Sequence, residues 1–509
     1  METKTAAIEM RNMTKRFGPV LANDKVWLNI YRGEILALLG ENGSGKTTLM
    51  NMLSGIYFPD EGEIKIDGKE VVIRSPKDAF DNGIGMIHQH FKLVDVLTAA
   101  ENIVLGLPGK LDLKAASAKI REICDKYGFS VDPAQKIYDM SVSQKQTVEI
   151  VKVLYRGADI LILDEPTAVL TPQETDKLFA VLRNMRNDGK AIVIITHKMH
   201  EVEALSDRVA ILRHGQFIGD MLTANTNAQE MTNMMVGHAV SLNIERPDPV
   251  DPKPRIEVKG LTVRSVDGIV KLDDVSFTAN SGEILGIAGI SGCGQKELLE
   301  AIAGLQTVES GSISYIEDDG SREELIGKDP LSIAELGVSL SFVPEDRLGM
   351  GLVGNMNLAD NMMLRSFRRG KSIFTDRRSP RALAESVVQE LSVSTPSVDT
   401  PVRRLSGGNV QKVLVGREIA SAPTVLLTAY AVRGLDIHSS YTIYDLINRQ
   451  KKAGVAVIFV GEDLDVLLEL CDRILVLCGG KVSGIVSGRG AEKREVGMMM
   501  TKLGGQSHE

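Results

Sequence analysis

The sequence repeats itself once along its length. The tetrapeptide Gly33–Leu36 recurs 249 residues later as Gly282–Leu285, and Asp207–Arg208 recurs 265 residues later as Asp472–Arg473. A chain of 509 residues also exceeds the roughly 250–300 residues that a single hydrophobic core supports. We therefore expect two similar domains, with insertions in the middle of the second copy.

A proline-rich segment separates the two copies. It runs from Arg246 to Pro254, and its prolines lack the N–H group that a helix interior or a central strand needs. We predict a first domain at residues 1–240, a semi-rigid extended linker at 241–255 and a second domain at 256–505.

Each copy alternates short apolar runs with helical stretches. Ile35–Leu39, Ile160–Leu163 and Ile192–Ile195 are continuous apolar runs of the kind found in buried parallel strands. A glycine-rich loop and a helical stretch follow the first run, so the sequence predicts an α/β fold. Ala100–Gly106 and Leu113–Tyr127 have helical patterns, which predict a smaller helical insert within the first copy.

Composition and charge disfavour several classes of protein. The net charge of −8 argues against a nucleic-acid partner. We see no secretory signal and no apolar run long enough to span a bilayer, so we expect any role at a membrane to be peripheral. Four scattered cysteines without CxxC spacing disfavour a zinc site or a disulfide framework and fit a reducing cytoplasm: Cys124, Cys293, Cys471 and Cys478.

The octapeptide Gly40–Thr47 matches the phosphate-loop pattern G-x-x-x-x-G-K-[ST] at every position. Its glycines allow backbone N–H groups to surround a phosphate, and the following helix adds its positive end. A glycine-rich turn without function is the alternative, which the preceding strand and following helix disfavour. The residues expected around the phosphates are Gly40, Asn42, Gly43, Ser44, Gly45, Lys46, Thr47 and Thr48.

Two carboxylates, Asp164 and Glu165, follow the second apolar run, at the strand end where open α/β sheets bind ligands. Asp164 suits Mg²⁺, and Glu165 suits activation of an attacking water. An acidic strand end that faces solvent is the alternative. His197 follows the third apolar run and Gln89 follows a shorter one, but neither residue indicates function by itself.

Together these residues resemble the ABC ATPase family along essentially the whole chain. The resemblance implies tandem nucleotide-binding domains, each with a RecA-like α/β core, an antiparallel β part and a helical subdomain. It also implies ATP and Mg²⁺ as cofactors. Phe17 would stack on adenine, Gln89 would sense both Mg²⁺ and a membrane partner, and His197 would contact the γ-phosphate. The implied catalytic residues are Lys46, Glu165 and His197, and the implied metal ligands are Thr47, Gln89 and Asp164.

In this family an LSGGQ-like signature binds the γ-phosphate of ATP held by the opposite domain, because the domains close head to tail. The stretch Leu405–Asn409 matches the signature well, which implies ATP contacts from Ser406, Gly407, Gly408 and Asn409. Met140–Gln144 matches poorly, since Ser143 stands where glycine is expected.

The second copy departs from the family at its own catalytic positions. Gln295 replaces the phosphate-loop lysine, and no Ser or Thr follows it, because Lys296 does. Further replacements are Ala429 and Tyr430 for the acidic pair, Glu345 for Gln89, Glu462 for His197 and Ser265 for Phe17. With head-to-tail pairing inside one chain, every intact part falls in one site and every defect in the other. We therefore expect a single hydrolytic site.

A normal first domain with a degenerate second resembles the ATPase subunits of bacterial importers for simple sugars and nucleosides. Pro166–Pro172 and Pro344–Arg347 are similar to that group as a whole. Ala22–Asp24, His90–Val94 and Glu101–Gly106 are more similar to its nucleoside branch. The resemblance implies two transmembrane permease subunits, an extracytoplasmic substrate-binding protein and a peripheral place on the cytoplasmic face of the membrane.

Two other functions fit parts of the sequence. Soluble tandem ABC proteins that act on ribosomes have a similar repeat, but they usually keep two working sites and a long charged linker. A regulator that binds ATP without hydrolysis is the second alternative, which the intact Glu165 and His197 disfavour.

Overall fold

The structure is a computed structural model, in which the chain divides into two compact units, Met1–Ser241 and Leu242–Glu509. It describes residues 6–88, 91–109, 111–168, 170–238, 243–265, 267–290, 292–335, 340–367, 375–461 and 463–502. No helix in these ranges is both long and apolar enough to cross a membrane.

The first unit contains two sheets and a set of helices. Its strands are β1 (Ala6–Phe17), β2 (Val20–Tyr31), β3 (Glu34–Leu39), β4 (Glu61–Ile66), β5 (Lys69–Val71), β6 (Ile84–Ile87), β7 (Ile160–Asp164), β8 (Ala191–Ile195), β9 (Arg208–Arg213) and β10 (Gln216–Leu222). Its helices are α1 (Lys46–Leu53), α2 (Pro76–Asp81), α3 (Ala99–Val104), α4 (Leu113–Tyr127), α5 (Val142–Tyr155), α6 (Pro172–Asn187), α7 (Met199–Leu205) and α8 (Ala228–Val236).

The larger sheet of this unit has six strands in the order β10-β9-β3-β8-β7-β6 and is parallel except for the β9–β10 pair. Every residue of β3, β7 and β8 is buried, because helices and the second sheet cover both faces of these strands. The smaller sheet is antiparallel, in the order β2-β1-β4-β5. Helices α3, α4 and α5 share a separate apolar cluster and form the helical insert.

The second unit repeats this architecture. Its strands are β11 (Pro254–Arg264), β12 (Val270–Asn280), β13 (Ile284–Gly289), β14 (Ser310–Ile316), β15 (Arg322–Glu324), β16 (Leu340–Val343), β17 (Val425–Ala429), β18 (Ala456–Val460), β19 (Arg473–Cys478) and β20 (Lys481–Ser487). Its helices are α9 (Gln295–Ile302), α10 (Pro330–Glu335), α11 (Leu358–Met363), α12 (Arg378–Glu390), α13 (Gly407–Ala420), α14 (Ile437–Lys452), α15 (Leu464–Leu470) and α16 (Lys493–Met499). The sheet orders, β12-β11-β14-β15 and β16-β17-β18-β13-β19-β20, match those of the first unit.

The proline-rich segment packs against the second unit. Ile244 is buried in that unit's core, and the Arg246 guanidinium donates to the carbonyls of Leu468 and Cys471, each at 2.7 Å. The Lys451 ammonium donates to the Pro247 carbonyl and to the Asp472 carboxylate. Strand β11 begins at Pro254, within the range that we expected for the linker.

Candidate active site

The phosphate loop of the first unit joins β3 to α1. Gly45 has φ +95°, and a Cβ atom at this position would lie 2.3 Å from the Ala22 carbonyl oxygen. A Cβ atom on Gly40 would lie 2.3 Å from the Leu212 carbonyl oxygen. The loop therefore needs glycine at both positions, since its backbone is held tightly against β2 and β9. Asn42 is exposed, and Thr48 is half-buried in the first turn of α1.

Lys46 is buried at the start of α1, with 7% of its surface exposed. Its Nζ atom donates to the carbonyl oxygens of Gly40, at 2.6 Å, and Glu41, at 3.0 Å. Burial lowers the pKa of the ammonium, while the nearby Glu165 and Asp164 carboxylates oppose that shift. A buried ammonium bound to neutral carbonyls is well suited to receive an anion such as a phosphate.

Asp164 at the end of β7 accepts a hydrogen bond from the Thr47 hydroxyl, at 3.2 Å. Burial raises the pKa of Asp164, which indicates a carboxylate that a cation would stabilise. The Ser44 hydroxyl of the phosphate loop is also buried and has no hydrogen-bond partner in the described part of the chain. Carboxylate and hydroxyl oxygens are ligands that Mg²⁺ prefers, so this donor set fits that ion.

Glu165 has φ +48°, a backbone conformation that residues other than glycine rarely adopt. Its N–H group donates to the Ile195 carbonyl at 2.9 Å, which holds the backbone turn against β8. One carboxylate oxygen lies 2.8 Å from His197 Nδ1. The other is buried and has no partner among the described residues, so it is available to a water or substrate group.

His197 connects this carboxylate to solvent, since 55% of its side chain is exposed. The hydrogen bond that His197 donates to Glu165 raises the pKa of His197, against the effect of its partial burial. The structure thus brings Lys46, Thr47, Asp164, Glu165 and His197 into one cluster. Gln89, the remaining expected metal ligand, lies outside the described residues.

Phe17 ends β1 with 42% of its surface exposed, and its ring contacts Tyr57 edge-on, with centroids 5.1 Å apart. It pairs with Val20, and β2 then leads directly to Ala22, against which the phosphate loop packs. The ring is therefore accessible on a hairpin that the phosphate loop anchors.

The signature of the second unit forms the start of α13. The Ser406 hydroxyl caps the helix by accepting from the Asn409 N–H at 3.4 Å, and it also accepts from the Asn409 side-chain amide at 2.9 Å. Gly407 and Gly408 follow in the first turn, and a Cβ atom on Gly408 would lie 3.3 Å from a Leu435 methyl group. Ser406 takes the Asn409 N–H, whereas the N–H groups of Gly407 and Gly408 have no acceptor within the helix and remain as donors at its start.

The corresponding helix of the first unit, α5, begins in the same way. The Ser141 hydroxyl accepts from the Gln144 N–H, and the Gln144 side chain accepts from the Ser141 N–H at 2.8 Å. Ser143 therefore changes the surface of the first turn without changing the cap.

The phosphate loop of the second unit keeps its backbone and loses its charge. Gly292 and Gly294 have φ +87° and +97°, close to +82° at Gly43 and +95° at Gly45. The Gln295 side chain is buried and donates to the Gly289 carbonyl at 2.9 Å, as Lys46 does to Gly40. A neutral amide thus takes the position of the ammonium. Lys296 is half-exposed and lies 3.8 Å from Glu300 on the same helix.

Tyr430 takes the backbone geometry of Glu165. Its φ is +53°, and its N–H donates to the Val460 carbonyl at 2.9 Å. The guanidinium of Arg433 lies over the Tyr430 ring and pairs with Glu345 at 2.6 Å. Glu462 lies outside the described residues.

Sequence reasoning missed Arg433 and Arg347 in this second site. Arg347 donates to the Gly407 carbonyl at 2.9 Å and to the Arg433 carbonyl. Arg347 belongs to the stretch Pro344–Arg347 that resembles the importer group, but no sequence pattern predicts these contacts, because they join segments that are distant in the sequence.

Comparison with known proteins places the chain in a family. The ABC transporter family profile matches residues 23–168 and 272–428. The "Nucleoside import ATP-binding protein NupA" of Lactococcus lactis subsp. cremoris is 42% identical, over 99% of both chains. The "Glucose import ATP-binding protein TsgD13" of Haloferax volcanii is 39% identical, over 98% of this chain and 96% of that protein.

A solved structure of an archaeal ribosome recycling factor, aABCE1, with the stalk protein aP1 is 16% identical, with a TM-score of 0.60. The match covers 91% of this chain and 87% of the aABCE1 structure's chain, and at 16% identity it shows the fold alone. The relatives and both matched halves show the family. The chain belongs to the ABC transporter family and is an ATP-binding, ATP-hydrolysing subunit with two tandem ABC domains.

Proposed function

We propose that this chain is the motor subunit of an importer for nucleosides, with simple sugars as the alternative cargo, and that it hydrolyses ATP at one site. The observation that carries the proposal is the unequal division of parts between the units. The first unit has a buried lysine, two carboxylates and a histidine in one cluster, whereas the second has Gln295, Ala429 and Tyr430 at the first three positions.

The chemistry proposed for the first unit is phosphoryl transfer from ATP to water. Lys46 and the loop amides hold the β- and γ-phosphates, and Thr47 and Asp164 would hold Mg²⁺, together with Gln89. When bound, Mg²⁺ supplies positive charge that stabilises the phosphate oxygens. Glu165 orients the attacking water through its unpartnered oxygen, and His197 holds the other oxygen in place.

We propose that the signature of the second unit supplies the remaining hydrogen-bond donors of this site. The outward N–H groups of the first turn of α13, with the Ser406 hydroxyl, are donors for the γ-phosphate. Gly407 and Gly408 let the backbone approach closely, because they carry no side chain. We propose that the units pair head to tail within the chain, so that ATP closes them and hydrolysis reopens them.

The proposed partners are two transmembrane permease subunits and an extracytoplasmic substrate-binding protein. Relatives that cover the whole chain are named import ATP-binding proteins, which supports a peripheral place on the cytoplasmic face of a membrane. The nucleoside assignment rests on the relative NupA and on the resemblance of three sequence stretches to the nucleoside branch.

Transport in a reconstituted system tests the proposal. The chain is assembled with its permease subunits and binding protein in liposomes, and ATP-dependent uptake is measured for a nucleoside, ribose and glucose. We expect uptake of a nucleoside. Uptake of a sugar alone would replace nucleoside by sugar as the cargo, and hydrolysis without any uptake would overturn the motor function.

A further inference from the structure

In each unit, the side chain of a buried asparagine binds the backbone of one loop residue. In the first unit, Asn102 on α3 accepts from the Val94 N–H at 2.7 Å and donates to the Val94 carbonyl at 3.1 Å. In the second unit, Asn361 on α11 makes the same two bonds to Val353, at 2.8 and 3.1 Å. Both asparagines are almost completely buried. Asn361 follows Asn102 by 259 residues, and Val353 follows Val94 by the same number, so the two contacts are equivalent in the repeat.

A cation on the signature helix holds the same loop two residues earlier. Lys152 on α5 donates to the Lys92 carbonyl at 3.0 Å, and Arg417 on α13 donates to the Gly351 carbonyl at 2.7 Å. Lys92 and Gly351 are again 259 residues apart, so the two bonds reach equivalent backbone atoms. In the first unit Glu149 adds a third bond, accepting from the Lys92 N–H at 2.6 Å.

We call the asparagine and the cation of each unit its loop clamp: Asn102 with Lys152, and Asn361 with Arg417. The loop clamp is present in both units, although the second unit has replaced the lysine, aspartate and glutamate of the candidate active site. A contact that persists without the catalytic groups serves a task other than hydrolysis.

The clamped loops present apolar side chains to solvent. The backbones of Val94 and Val353 are held by the asparagines, while 41% and 44% of these residues are exposed. In the second unit the clamped loop lines a cavity of about 440 Å³, together with Leu348, Met350 and Arg403. The loop clamp thus fixes the position of an accessible surface relative to the signature helix.

We propose that Lys152 and Arg417 are positioning residues that transmit movement of the signature helices to the loops 92–94 and 351–353, and through them to the transmembrane subunits. This inference rests on the proposed function, because it needs those subunits. The physical reason is that the cation binds the loop to the signature helix and the asparagine binds it to α3 or α11, so that the loop moves with these helices as one body.

The test measures coupling separately from chemistry. In the complex with its permease subunits, Lys152→Met should lower the stimulation of ATP hydrolysis by transport substrate about tenfold, as expected for one hydrogen bond to a charged group. Hydrolysis by the purified chain alone should stay within about twofold of wild type, since Lys152 lies outside the catalytic cluster. Lys152→Arg should restore coupling, because it keeps the donor.

Lys119→Met is the matched control. Lys119 also donates to a backbone carbonyl, that of Tyr155 at 3.2 Å, but it does not touch the clamped loop. It should behave as wild type. Stimulation of Lys152→Met equal to that of wild type would overturn the inference, as would equal losses in the purified chain and in the complex. A wild-type complex without any stimulation would overturn the proposed function itself.

Hydrogen exchange on the purified full chain gives a second readout that needs no partner. Asn102→Asp keeps the acceptor for the Val94 N–H but loses both bonds that the Asn102 amide donates, to the Val94 and Thr98 carbonyls. Amides of residues 91–96 should exchange faster in this variant and in Lys152→Met, and those of β7 should not change. Unchanged exchange at residues 91–96 in both variants would contradict the clamp.

Discussion

His197 Nδ1 lies 2.8 Å from a carboxylate oxygen of Glu165, at the end of two adjacent parallel strands. The second carboxylate oxygen is buried without a partner among the described residues. A carboxylate that is held at one oxygen and open at the other has the geometry of a group that orients water.

Glu165→Gln should therefore stop hydrolysis while leaving ATP binding intact. Glutamine keeps the shape but accepts no proton, so we expect a loss of about 10²–10⁴-fold in turnover. Phosphate release and binding of a fluorescent ATP analogue measure the two properties, with Glu122→Gln, at an exposed position of α4, as the control. Turnover above about a tenth of wild type would remove Glu165 from this role.

The same pair predicts a pH dependence of stability. The hydrogen bond that His197 donates to Glu165 raises the pKa of His197, so the charged pair stabilises the fold fully below the unfolded histidine value of about 6.5. This contribution is lost as pH rises through the raised folded value. The difference in melting temperature between wild type and His197→Ala should therefore be larger at low pH than at alkaline pH. A difference that is constant with pH would contradict the ion pair.

The two signature helices offer a matched pair of variants. Ser406→Ala and Ser141→Ala each remove a helix-capping hydroxyl, at a similar cost of about 1 kcal/mol in stability. Only Ser406 belongs to the proposed hydrolytic site, so its loss should lower turnover of the assembled transporter by about 10²–10³. Ser141→Ala should leave turnover nearly unchanged. Equal losses from both would mean that the degenerate site contributes to turnover.

The second phosphate loop should not regain activity from one substitution. Gln295→Lys restores the ammonium at a position whose backbone matches that of Lys46. In the Glu165→Gln background we expect no recovery of hydrolysis, because Ala429 and Tyr430 supply no carboxylate. Phosphate release from the double variant measures this directly. Recovered turnover would show that the second unit has another base.

Much of the core could be predicted, because buried parallel strands are continuous apolar runs. The run at Ile160–Leu163 lies in β7, and the pattern at Leu113–Tyr127 coincides with α4. The left-handed backbone of Glu165 could not be predicted, since it depends on a bond to the neighbouring strand. The same holds for the amide of Gln295, which occupies the ammonium's position through a contact with a carbonyl.

The packing of Ile244 and Arg246 on the second unit could not be predicted from the composition of the proline-rich segment. The prolines around these residues predict an extended segment, and in the structure residues 243–253 form neither helix nor strand. The segment nevertheless packs on the second unit, because Arg246 finds two free carbonyls at the end of α15. Sequence patterns describe local geometry and not such long-range partners.

The contacts of the proline-rich segment determine at which residue a fragment that contains only the second unit should begin. Asn448 donates to the Glu245 carbonyl at 2.5 Å, and Lys451, which is 2% exposed, donates to the Pro247 carbonyl. A fragment that began at residue 256 would leave this buried amide and ammonium without those acceptors and would uncover the site of Ile244. A fragment that began at residue 243 would keep both acceptors. The proline-rich stretch is therefore part of the surface of the second unit.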